Sequence, residues 1–172
     1  MITEVQPLHQ LLKLINVDEY PKERVERLWE KVSKQDYAFN DVFRGDMEAF
    51  LSQFLTPMNL FFEIGDMQGL AMACGIVPGT DAQMHFMLWD TLPIIQVRAA
   101  AKSLIDNLFH SYSLHRLSSF IPERNVQAIR LALSLGFQSE GHLREAFLYH
   151  GQFLNVKILG LLQRDFEMVK EY

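Results

Sequence analysis

Two periodicities alternate along the chain, and the switches between them mark out its elements. Between Lys22 and Ser33, Val25, Leu28, Trp29 and Val32 recur at helical spacing, with Pro21 placed for the first turn. Asp46–Phe54 repeats the pattern with Met47, Phe50, Leu51 and Phe54, and Pro57 closes it. From Asn59 onward the period changes. Asn59–Ile64, Leu70–Val77 and Ala82–Trp89 are short apolar runs parted by turns at Asp66–Gly69 and Pro78–Asp81, which predicts a three-stranded antiparallel meander. Val97–Tyr112 predicts the strongest helix, with Val97, Ala101, Leu104, Leu108 and Tyr112 in one stripe widened by Ile105 and Phe109. A strand follows at His115–Ile121, then a helix at Asn125–Leu135, then two strands around Tyr149–Gly151. Residues 1–20 stay ambiguous: Leu8, Leu11, Leu12 and Leu14 fit a short helix or an edge strand. The whole reads as an α+β (mixed α/β) chain, one domain over residues 1–172.

The densest signal is Ile121–Gly141. Asn125 stands where a helix begins, and its side chain can accept from the first free backbone N–H groups. Val126, Ile129 and Leu133 recur at helical spacing, with Ala128 and Ala132 as small neighbours. Gly136 falls where a left-handed stop is expected. The series Asn125, Ala128, Ala132, Leu135-Gly136-Phe137, Glu140-Gly141 resembles the acetyl-CoA-side motif of the GNAT acetyltransferase superfamily. The branch it most resembles is the ribosomal-protein-like one, which acetylates protein N-termini and small amines. Leu143–Phe166 is similar to that branch's final hairpin, and the likeness runs over about residues 58 to 166.

The resemblance implies a six- to seven-stranded, mostly antiparallel sheet with helices on both faces and a splayed central strand pair. Acetyl-CoA would lie in that gap as co-substrate. Its pantetheine arm would pair with the fourth strand near Met87 and Leu88, and its diphosphate would rest on the loop before the next helix, at Gln96, Val97, Arg98 and Ala99. Backbone N–H groups and the helix dipole favour an anion there. The family loop carries glycines that let the backbone approach phosphate. This chain has none between Leu92 and Ala101, and Ala99 stands in the first glycine's place. Arg98 could supply a forked contact to phosphate, or it could simply be solvated at a helix start. Asn125 would touch the pantetheine, cap its helix, or do both.

Acetyl transfer to an amine needs a neutral nitrogen, so a base helps, and a tyrosine can protonate the departing thiolate. The candidates are His85 in the fourth strand, Glu63 in the second and Tyr149 in the last hairpin. Each has a plainer reading: His85 structural, Glu63 a solvated face residue, Tyr149 a wall. If Met84 and Phe86 face the core helices, His85 points to the other layer. Two functions remain: an acetyl-CoA-dependent N-acetyltransferase acting on a primary amine by direct attack, or a catalytically inactive GNAT-like binding or structural protein of a kind met in bacteriophages and bacteria.

The bulk numbers narrow the field. A net charge of −5 speaks against a nucleic-acid partner. A single cysteine, Cys74, in the apolar run LAMACGIV, leaves no intrachain disulfide and suits a reducing, cytoplasmic setting; its thiol is either buried and inert or reactive. MITEVQPLHQLL has no secretory pattern, and no apolar run reaches the ~20 residues of a membrane span. Six histidines lack zinc-ligand spacing, so no metal is expected, although His142 and His150 could face each other across the last hairpin. A homodimer through the last strands stays open.

Overall fold

The computed structural model describes residues 12–16, 19–54 and 56–170, leaving aside the side chains of Phe54, Val169 and Lys170. The readings made for Leu8, Leu11 and the inward-facing Phe54 lie outside the described residues. In order, the elements are β1 (Leu12–Leu14), α1 (Lys22–Val32), α2 (Met47–Phe54), β2 (Leu60–Ile64), β3 (Gly69–Val77), β4 (Asp81–Leu88), α3 (Ile94–Ser111), β5 (Arg116–Pro122), α4 (Val126–Ser134), β6 (Gln138–Tyr149), β7 (Gln152–Leu162) and α5 (Gln163–Lys170). All seven strands share one sheet in the order β1-β2-β3-β4-β5-β7-β6, antiparallel except where β4 meets β5. The mixed, mostly antiparallel sheet expected from the sequence is therefore the one observed.

Alternation along the strands sends side chains to two cores. One holds Phe62, Ile64, Ala71, Ala73 and Met84 against Ala101, Leu104, Ile105 and Leu108 of α3 and Phe166 of α5. The other holds Phe61 and Leu70 against Leu28 and Val32 of α1 and Phe50 of α2. Met72, Met87 and Trp89 pack on this second core, and Phe86 and Leu88 on the first. Helices thus cover both faces, and His85, between Met84 and Phe86, faces the α1–α2 layer.

One open reading is resolved, one element is added and one boundary shifts. Residues 12–14 take the edge-strand option, pairing Lys13 with Glu63 of β2. The terminal α5 falls outside the element order that periodicity predicted. The long helix starts at Ile94 rather than Val97, because the carbonyl of Pro93 accepts from both Gln96 (2.8 Å) and Val97 (3.1 Å) and nucleates the first turn. The segment expected as a loop thus shrinks to the few residues after Leu88.

The last hairpin turns at His150 and Gly151, both at positive φ (48° and 72°), the geometry of a tight two-residue connection. Asp41 clamps it: its carboxylate accepts from the N–H groups of His150 (3.0 Å) and Gly151 (2.8 Å), and its own N–H donates to Leu148 O (2.9 Å). The Gly151 bond is the main reason the Asp41 carboxyl sits below its usual range. His142 pairs with Lys157 on β7 and His150 sits in the turn, so the two histidines do not face each other. Among the described residues, no helix is long and apolar enough to cross a membrane.

Candidate active site

The sheet opens in its middle. β4 and β5 pair only at Asp81–Arg116, Ala82–Leu117 and Gln83–Ser118, although β4 runs on to Leu88 and β5 to Pro122. Ser118 Oγ donates to the Asp81 carboxylate (3.0 and 3.1 Å), and Arg116 joins Asp81 to Glu140 (3.7 and 2.9 Å), fastening the closed end. At the fork, Ser119 Oγ donates to the Met84 carbonyl (3.1 Å). That carbonyl therefore points towards β5. The Trp89 N–H, five residues on, donates to Gln68 O on the opposite side (3.2 Å). A Cβ on Gly69 of β3 would lie 2.5 Å from the Met87 carbonyl, so Met87 also turns its main chain towards β3. Strand alternation then aims the main-chain groups of Phe86 and Leu88 into the gap.

Above the fork lies a cavity of about 170 Å³. Met84 and Phe86, on one face of β4, line it, and so do His85 and Met87 on the other. The opening therefore runs through the sheet. One side is walled by Asn125, Ala128, Leu131, Ala132 and Leu135 of the α4 unit, and Asp36, Tyr37 and Ala38 reach in after α1. The alanines make the room. The stripe that α4 presents inward is theirs, whereas Val126 and Leu133 are nearly half exposed (48% and 46%). Gly136, at φ 98°, ends the helix as expected.

Of the candidate residues, His85, Met87 and Asn125 meet at this cavity. Asn125 Oδ1 accepts from Ala128 N (3.2 Å) and caps α4. Among the described residues its Nδ2 has no partner, so it remains a donor. His85 likewise has no hydrogen-bond partner among the described residues. Burial holds its pKa below the ordinary value, leaving a neutral imidazole at the cavity wall.

The others stand elsewhere. Glu63 is buried and does not line the cavity. Its carboxylate accepts from the Arg24 guanidinium, from Tyr20 Oη (2.6 Å) and from Met67 N (3.0 Å). Burial pushes the Glu63 carboxyl up, but Arg24, Tyr20 and the Met67 N–H outweigh it and hold it below the usual range. This is a closed charge cluster, not a solvated face. Leu88 packs its side chain on the α3 core. Gln96, Val97, Arg98 and Ala99 lie in the first turns of α3, off the cavity. Val97 is buried with its N–H spent on Pro93, and Arg98 Nη2 donates to Ser134 O at the end of α4 (3.2 Å).

Tyr149 stands one step back from the cavity. Its hydroxyl donates to Asp36 Oδ1, its ring stacks on Tyr37 at 4.6 Å, and the Arg44 guanidinium lies 4.9 Å above it. The bond to Asp36, and then burial, raise its pKa. Asp36 and Tyr37 had no signal in the sequence, because only folding brings the end of α1 over the strand gap. Cys74 is half-buried, and burial pushes its thiol up to about 11, which leaves it unreactive. Asp106, His110 and Glu167 gather possible metal-ligating atoms within 4.8 Å of one another on α3 and α5, away from the cavity.

No family model matches the chain. Solved structures do. A spermidine N-acetyltransferase from Vibrio cholerae in complex with CoA and spermine aligns over 91% of this chain and 98% of its own, with a TM-score of 0.69 at 18% identity. A probable acetyltransferase aligns over 92% and 97%, with a TM-score of 0.71 at 15% identity.

The chain has the GNAT acetyltransferase fold.

A curated relative, an uncharacterized N-acetyltransferase p20 of Bacillus licheniformis, is 36% identical over 67 residues. That match spans 39% of this chain and 38% of the relative's length. In GNAT terms, the opened β4–β5 pair is the splay that the Asn125–Gly141 motif implied.

Proposed function

We propose that the chain is an acetyl-CoA-dependent N-acetyltransferase that delivers the acetyl group to a primary amine by direct attack within a ternary complex. The observation that carries this reading is the opening through the sheet. Residues from both faces of β4 line one cavity, so two substrates can reach one point from opposite sides. The neighbouring structure with CoA and spermine bound supports the pairing of a thioester carrier with an amine.

The residues present suit acetyl-CoA. The main-chain groups of Phe86 and Leu88, beyond the last β4–β5 pair at Gln83–Ser118, can pair with an extended amide-bearing arm, as an added strand would. Ala128 and Ala132 leave space beside them, and Asn125 Nδ2 offers a further donor. The co-substrate supplies the activated acyl group. The start of α3 can face its phosphates through the N–H groups of Ile94 and Ile95, which precede the first intrahelical bonds, while Arg98 adds charge nearby. The missing glycines thus matter less than they would in a loop, because the donors sit on the first helical turn.

On the opposite side, His85 is the base in this proposal. Its neutral ring can take a proton from the incoming ammonium or, through water, during attack; as the C–N bond forms the thioester C–S bond would break, and the departing thiolate would take up that proton. Glu63 acts at a distance, fixing α1 to the sheet through Arg24. Tyr149 orients Asp36 and the segment around it.

Thermal unfolding with added acetyl-CoA tests the reading. Saturation at 100 times Kd should stabilise by ~2.7 kcal/mol. Asn125→Ala should weaken that binding while costing ~1 kcal/mol of stability as a lost cap. No shift at millimolar acetyl-CoA would sink the proposal.

A further inference from the structure

Among the described residues that line the cavity, Asp36 is the only carboxylate. It has no cationic partner among the described residues, while nearby Arg44 is drawn to Asp41 (3.5 Å) and to the face of Tyr149. Tyr149 holds one of its oxygens, Oδ1, by donating to it. The segment is held at a cost: Tyr37 sits at φ 63°, a left-handed conformation that a bulky residue rarely adopts, with its ring stacked on Tyr149. Asp36 is exposed at the cavity's rim, whereas His85 lies in the strand that forms its wall.

From this placement we infer that Asp36 is a specificity residue that binds a second, non-reacting cationic group of the acceptor, so that the substrate class is diamines and longer polyamines rather than simple monoamines. The inference rests on the acetyl-transfer reading and deepens its acceptor side. The charge logic separates the two nitrogens. The attacking nitrogen must be neutral, and a carboxylate beside it would hold its proton in place. A carboxylate exposed at the rim, with the imidazole set in the wall, instead suits an ammonium that stays charged throughout. The Tyr149 hydroxyl fixes one oxygen, and the other, without a partner among the described residues, can accept from that ammonium.

The test is direct binding of 1,5-diaminopentane and of pentylamine by calorimetry, to the wild type and to Asp36→Asn, with acetyl-CoA binding measured on the same samples. The wild type should bind the diamine about tenfold more tightly than the monoamine, the order expected of one partly desolvated ion pair. Asp36→Asn should erase that preference and leave acetyl-CoA binding unchanged. Tyr149→Phe, which keeps the ring stack but frees the carboxylate, should reduce the preference without abolishing it. Equal binding of the two amines by the wild type, or an undiminished preference in Asp36→Asn, overturns the inference even if acetyl-CoA binds. An Asp36-dependent diamine preference without acetyl-CoA binding would uphold the cation site and overturn the acetyl-transfer reading instead.

Discussion

At the scale of single residues, His85 and Glu63 show how one sheet gives two ionisable side chains opposite fates. Both face the α1–α2 layer. Glu63 meets Arg24 and Tyr20 there and is held as a carboxylate; His85 meets no such partner among the described residues and is held neutral by burial. The His85 pKa falls from an unfolded value of about 6.5, so below that pH the unfolded chain binds more protons than the folded one. Stability contributed through His85 is therefore full above pH ~6.5 and is lost as pH drops through its folded value. Denaturant titrations between pH 7 and 5 should show that loss, and His85→Gln should flatten it. The same variant should lose the acid limb of the kcat/KM profile, with kcat lower by about two orders of magnitude. A variant with unchanged kcat and an unchanged acid limb would remove His85 from the chemistry. His85's direction was legible from the alternation Met84–His85–Phe86 alone. Asp36 was not, because nothing local in the segment following α1 encodes its approach to β4.

At the scale of elements, the decisive pair is β4 with α4. The strand alternation and the Asn125–Gly136 helix were readable from period and cap chemistry. The early start of α3 was missed because Ile94 and Ile95 are exposed (67% and 72%) and break the apolar stripe, while the structural signal was Pro93. The parting of β4 from β5 came only from the family resemblance, since periodicity says which face a side chain takes but not whether the next strand is paired. Within α4, room in the cavity depends on small side chains at Ala128 and Ala132. Ala132→Phe should fill the cavity and abolish acetyl-CoA stabilisation in a thermal titration. The protein should remain folded at a cost of about 1–3 kcal/mol from overpacking. Undisturbed binding in that variant would mean the arm lies elsewhere.

For the molecule as a whole, two cores clasp one sheet that is joined at its closed end and open in the middle. The α1–α2 layer, which carries Asp36 at its end, is tied to the sheet by Arg24 bridging buried Glu63 and exposed Asp66. Arg24→Met removes the partner of a buried carboxylate and should cost about 3 kcal/mol in denaturant unfolding. Glu63→Gln with Arg24→Met should recover part of that loss, because no buried charge is left unpaired. Additive losses in the double variant would show that the pair is not coupled. The fold class, the strand meander and the motif that walls the cavity were visible in the sequence. The rim was not, since it forms where α1 ends, where the last hairpin turns and where β4 parts from β5, three segments far apart along the chain.

Acetyl transfer by this chain requires that main-chain groups of β4 in the gap receive the thioester carrier. Amide hydrogen exchange, residue by residue, with and without coenzyme A, tests this most directly. The amides of Phe86 and Leu88 should slow on coenzyme A binding, with Met87, already turned to β3, little changed. Slowing confined to other segments, with Phe86 and Leu88 exchanging as before, would contradict it.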